Sequence, residues 1–257
     1  MGMRWVWMVV LLLAACSAPG ELAPEETPPT GASDLVLRVV DTGGLLGPGS
    51  EFRLPALSLY GDGLLVLPGK PVVHRRLTMA GVRRVVQMAI RAGLTREQDF
   101  GTPRIADAPV TIITVVTSRR FKTKIVAPFD LGGDSAAQAE ARKRVHVFRK
   151  ALNDLESWLG DDIGPAIAPP PGPHLVFSYK IPPTHPGGSQ EWPYGDLMTA
   201  GQAHSVGRCQ VLPAERVRAL PNPVPAQPWR YGNDLFVLVF RPLLPDERSC
   251  EDIKRIG

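Results

Sequence analysis

Five histidines, three cysteines and 25 carboxylates are the residues of this 257-residue chain that could do chemistry. The histidines are His74, His146, His174, His185 and His204, and no two stand at a spacing that holds a metal. No metal or cofactor is implied. His146 flanks an apolar helical stripe and reads as an exposed or boundary residue. The richest segment is residues 185–204, which carries His185, Glu191, Trp192, Tyr194 and His204 in one Gly/Pro-rich loop. Aromatic rings shown on a loop can stack on sugars or peptides. These five form the candidate ligand loop. The competing expectation is that Trp192 and Tyr194 plug the core beneath it.

Two other segments resemble catalytic motifs and lack what those motifs need. Asp41-Thr42-Gly43 follows an apolar strand and resembles the active-site triplet of aspartic proteases. That chemistry shares one proton between two carboxylates, and the chain has no second such triplet. A turn that uses Asp and Gly after a strand explains it. Residues 63–71 look faintly like a P-loop, but one residue is in excess and Pro71 replaces the hydroxyl that would hold magnesium. There is no GxSxG, no SxxK set and no HExxH. No catalytic residue is assigned.

The N-terminus is more specific. Arg4 gives a positive start and residues 5–15 are eleven apolar residues, the length of a signal-peptide core. They end in Leu13-Ala14-Ala15-Cys16. This resembles the bacterial lipobox, in which small residues fit the peptidase and the cysteine thiol accepts diacylglycerol. Residues 1–15 are therefore read as a lipoprotein signal peptide, with Cys16 as the acylated residue. Residues 16–33 (SAPGELAPEETPPTGAS after the cysteine) have no apolar periodicity and are expected to form a disordered tether. No apolar run reaches the 18 residues of a spanning helix.

If Cys16 carries lipid, Cys209 and Cys250 remain. An even pair in an oxidising compartment points to one disulfide. Two free thiols are the alternative, and neither cysteine belongs to a CxxC zinc pattern.

Periodicity gives the secondary-structure elements around these residues. Residues 34–40, 110–117 and 121–127 read as strands, and residues 52–60 and 64–67 as a hairpin about Gly61-Asp62-Gly63. A helix spans 78–92, with Thr78 as N-cap and Met79, Val82, Val86, Ala89 and Ile90 as its apolar stripe. Arg83, Arg84, Gln87 and Arg91 lie off that stripe. A second helix spans 135–159. It opens with a Ser135/Gln138 capping box, and Ala141, Val145, Phe148, Leu152, Leu155 and Leu159 form its stripe. The expected fold is α+β over 34–160, an antiparallel sheet built from hairpins with two helices on one face. A Pro-rich linker over 161–173 and a loop-rich C-terminal β region over 174–257 follow. In that last region 174–181, 209–212 and 235–241 read as strands and 213–220 as a short helix.

Charge is uneven. Residues 34–160 carry 19 basic and 12 acidic side chains, a net of +7, whereas 161–257 carry a net of −1. A basic, membrane-tethered body could rest on anionic headgroups or wall polymers. A solvated helix face, with Arg83, Arg84 and Arg142 to Arg144 turned to water, is the simpler expectation. Nucleic acid is disfavoured, since the basic residues lack interleaved aromatics.

Residues 57–63 (LSLYGDG), a helix ending in Ala-Gly-Leu, and residues 241–247 (RPLLPDE) shortly before Cys250 resemble uncharacterised actinobacterial lipoproteins. The resemblance implies an exported lipoprotein with a terminal disulfide and brings no catalytic residues. The expected function is a non-enzymatic binding or interaction protein of the cell envelope. Its partners would be the membrane, through lipid, and an envelope protein or polysaccharide. The alternatives are an envelope hydrolase using Asp41 or a His185/His204 neighbourhood, and a structural part of a larger envelope complex.

Overall fold

The computed structural model describes residues 26–44, 47, 49–102, 105–126, 135–183, 188–204, 206–220 and 228–254. Cys16, the signal segment and most of the expected tether lie outside these residues, as does His185. The chain is mixed α+β, with two six-stranded sheets and few helices.

The first sheet is antiparallel, in the order β4-β3-β2-β1-β5-β6. Its strands are β1 (Leu35–Gly43), β2 (Leu57–Tyr60), β3 (Leu64–Leu67), β4 (Val73–Arg76), β5 (Pro109–Val116) and β6 (Arg120–Val126). Successive strand residues point to opposite faces. Leu37, Val39, Leu59, Leu65, Ile113, Val115 and Ile125 share one core with α1 (Met79–Arg91) and α2 (Ala136–Asn153), through Val82, Val86 and Ala89, and Val145 and Phe148. On the other face Leu35, Tyr60 and Val66 pack against Leu244 from the C-terminal segment. The first sheet is thus covered on both sides.

Several local expectations hold. The Thr78 hydroxyl accepts from the Gly81 N–H, and the Ser135/Gln138 capping box is complete. Gly63 sits at φ +84°, where a Cβ would meet the Leu77 carbonyl oxygen at 2.2 Å. Only glycine fits that turn.

Others change. The second helix breaks at Asp154 (φ −131°) and resumes as α3 (Leu155–Leu159). Asn153 and Asp154 have short polar side chains that compete with helical backbone bonds. Residues 52–56 are not strand: Ser50–Phe52 is a 3-10 turn, and β2 begins only after Pro55. Asp41-Thr42-Gly43 is not a turn but the end of β1, paired with Thr111, Val110 and Pro109. The expected linker is not free over its first part. Ile163 and Ile167 bridge to Leu77 and His74, and Gly164 N donates to the Arg76 carbonyl at 2.8 Å, hemming the edge strand β4. Arg142 is not solvated. It is 1% exposed, and its guanidinium donates to the carbonyls of Phe100, Gly101 and Val126. At the other end of the chain, Pro28 is buried and the Pro29–Thr30 backbone lies against Gly61. The ordered body therefore starts ahead of Asp34.

The second sheet has the order β8-β11-β12-β7-β10-β9. It comprises β7 (His174–Ile181), β8 (Gln190–Glu191), β9 (Gln202–Ala203), β10 (Arg208–Leu212), β11 (Trp229–Tyr231) and β12 (Asp234–Pro242). Only the β8–β11 pairing is parallel. One face packs Leu175, Phe177 and Cys209 against Phe52, Cys250 and Ile253, near the short terminal helix α5 (Glu251–Lys254). The opposite face packs Val176 and Phe236 against Trp192, Leu197 and Trp229, with Val217 of α4 (Ala214–Ala219) beside them. Cys209 and Cys250 form a disulfide, their Cα atoms 5.9 Å apart.

Candidate functional site

The described residues of the candidate loop, Glu191, Trp192, Tyr194 and His204, do not form one cluster. Trp192 is 4% exposed and meets Trp229 edge-on, ring centroids 5.5 Å apart. Its indole N–H donates to the Tyr194 carbonyl, and the Tyr194 hydroxyl donates to the Arg216 carbonyl at 2.6 Å. Both rings sit in or against the core. Glu191 is exposed on β8, 3.7 Å from Arg230. His204 lies against the other face of the second sheet, its ring centroid 4.8 Å from that of Phe52. Trp192 and His204 are thus separated by the sheet. Asp41 accepts from the Thr111 hydroxyl at 2.7 Å and pairs with Arg149 at 3.1 Å. Its carboxylate is already engaged.

A dense charge cluster lies where the first sheet meets the C-terminal segment. Arg38 pairs with Asp246 at 2.6 Å, and also donates to the Tyr60 hydroxyl at 2.9 Å and the Ser58 hydroxyl at 3.1 Å. Tyr60 in turn donates to Asp246 at 2.8 Å. Burial drives the Tyr60 phenol well above its ordinary value, only partly offset by Arg38. Burial also opposes the Arg38 charge, but Tyr60 and Asp246 outweigh it and hold the guanidinium protonated. Beside them Glu247 takes two bonds from Arg241, at 2.5 and 2.9 Å, and one from the Leu244 N–H at 2.9 Å. These groups neutralise each other, so the cluster acts as a latch. It joins two segments far apart in sequence: Tyr60 belongs to LSLYGDG and Asp246 to RPLLPDE. A polar cavity of about 390 Å³ opens beside it, lined by Thr114, Arg120 and Asp252 among others.

A more apolar opening lies elsewhere, on the helical layer. A groove of about 480 Å³ runs between α1 and α2 and is closed by Trp158 of α3. Met88, Ala92, Val147 and Trp158 give it an apolar floor, and Val147 is 50% exposed. Arg84, Arg91, Lys143 and Arg144 rim it, with Glu140 as the one acid. Arg84 is held by Asp162 at 3.0 Å and by the Trp158 and Leu159 carbonyls. Arg144 stands 3.9 Å from Glu140. Arg91 and Lys143 have no ion pair among the described residues. A concave apolar floor with a few convergent charges is the usual form of a ligand site. The helical stripe hid it, because its residues are those left off the stripe; the off-stripe Arg84, Gln87 and Arg91 were the available signal.

Comparison with protein-family models, with curated proteins and with solved structures finds no match for this chain. Among the described residues no helix is long and apolar enough to cross a membrane, and no group of three His, Cys, Asp or Glu is placed to hold a metal ion.

Proposed function

We infer that the chain is an exported bacterial lipoprotein, anchored through acylated Cys16, that acts as a non-enzymatic binding or interaction protein of the cell envelope. The observation that carries this reading is the Cys209–Cys250 disulfide. It accounts for two of three cysteines and suits an oxidising compartment. The remaining one is Cys16, placed where a lipobox needs it. The likeness of residues 57–63 and 241–247 to actinobacterial lipoproteins agrees with the same address.

The Asp41 catalytic reading loses support from how its carboxylate is used. Asp41 is tied to Arg149 and Thr111. The binding reading gains support from the helical groove. In it α1 and α2 form one outer layer on the first sheet, and that layer meets the partner. Nine residues separate Cys16 from Glu26, ten Cα-to-Cα steps in all. At full extension they reach about 35 Å, so the body stays close to the bilayer. Two or three acyl chains, at about 0.8 kcal/mol per buried CH₂, hold it firmly.

The test is fractionation of cells that express the wild-type and Cys16→Ser chains. Wild type is expected in the membrane fraction and the variant in the soluble extracytoplasmic fraction. Tight membrane association of the variant would overturn the anchor.

A further inference from the structure

We propose that the α1–α2 groove binds a single-chain anionic amphiphile, its hydrocarbon on the Met88, Ala92, Val147 and Trp158 floor and its anionic head between Arg91 and Lys143. This rests on the envelope-binding reading and names the ligand class for that surface.

The argument is one of complementarity. At about 480 Å³ the opening falls within the range of small-ligand sites, roughly 300–1,000 Å³. Its α2 side runs from Glu140 to Val147, about 12 Å at 1.5 Å per residue. That is too short for a protein interface, which buries about 1,000 Å² or more. Half-exposed Val147 and the Trp158 ring offer surface that an alkyl chain would remove from water. The stems of Arg91, Lys143 and Arg144 extend the apolar wall while their heads stay wet.

The charge is equally selective. Of the four cations on the rim, Arg84 is spent on Asp162 and Arg144 faces Glu140. Arg91 from α1 and Lys143 from α2 remain, one on each helix that flanks the floor. A neutral amphiphile would leave both without a counterion. An anionic head would satisfy both. Carboxylate and phosphate heads share this chemistry, and the two arms below separate a fatty-acid source from a phospholipid one.

The experiment uses the full chain carrying Cys16→Ser, so that no acyl group of its own competes. Dodecanoate, dodecyl phosphate and neutral dodecyl maltoside are titrated below their micelle concentrations while tryptophan emission is followed. The expected result is a saturable change that Trp158→Phe removes. At least one anionic ligand should bind about tenfold more tightly than the maltoside, as two exposed charge contacts allow. The double variant Arg91→Gln/Lys143→Gln should erase that preference with its melting temperature unchanged. Equal affinity for anionic and neutral ligands overturns the proposal. So does a preference that survives the double variant, the lack of any saturable change, or a response only to an acidic amphipathic peptide. Binding without Cys16 acylation would retain the groove and remove the anchor. Acylation without binding would do the reverse.

Discussion

Replacing Glu247 by Gln tests the latch most sharply. The Arg241 and Glu247 side chains are 2% and 1% exposed, and the carboxylate takes three bonds. The substitution keeps shape and removes charge. It leaves a buried guanidinium whose other acceptors are the Phe52 and Pro242 carbonyls. Breaking a buried pair at one partner costs about 3–5 kcal/mol. That is a large share of a stability of about 5–15 kcal/mol. With a urea slope near 2 kcal/mol/M, the unfolding midpoint should fall by about 1.5–2.5 M. The assay is equilibrium urea unfolding followed by tryptophan emission. Arg241→Met combined with Glu247→Leu should recover most of the loss, because removing both charges also removes the desolvation cost. A loss below about 1 kcal/mol for Glu247→Gln would refute the reasoning, since it would mean that the pair is hydrated and contributes like a surface bridge.

Two further outcomes follow from the same structure. The disulfide spans 41 residues, and reducing it or changing Cys250→Ser should cost about 4 kcal/mol in the chain-entropy model, read as a shift in the urea midpoint with and without reductant. Stability should also fall on acidification in two steps. Burial and Arg76 depress the His74 imidazole, so the unfolded chain takes up that proton first and stability declines as pH drops below about 6.5. The bonds from Thr78 and Arg84 depress Asp162, so its contribution holds above the ordinary carboxylate range and is lost as pH falls through its lower folded value. Urea midpoints across pH 3–8 check both, and His74→Gln should flatten the upper step.

Elements with strong periodicity or a cap were legible in the chain. The strand expected at 174–181 is β7 residue for residue, and Thr78 and Ser135 cap the helices they were assigned. Short edge strands were not. β8 and β9 are two residues each, and they exist because longer neighbours offer unpaired backbone. The hem at 163–167 reads as a proline linker, and its strand partner β4 has no alternation of its own. The latch was illegible for a different reason: Arg38 and Asp246 stand 208 residues apart, and nothing local marks them as partners. The aromatic loop was ambiguous in a different way. Trp192 and Tyr194 could be read either as display residues or as a plug for the core, and hydrophobic burial under the loop uses them for packing. The groove depends on two helices meeting side by side, so only their packing reveals it.

The lipid anchor is decided at the mature N-terminus. Mass spectrometry of the N-terminal peptide, from protein extracted from membranes, should find Cys16 as the first residue, with a thioether-linked diacylglycerol on its sulfur. A chain that begins at Met1, or a mature Cys16 with an unmodified thiol, would contradict it.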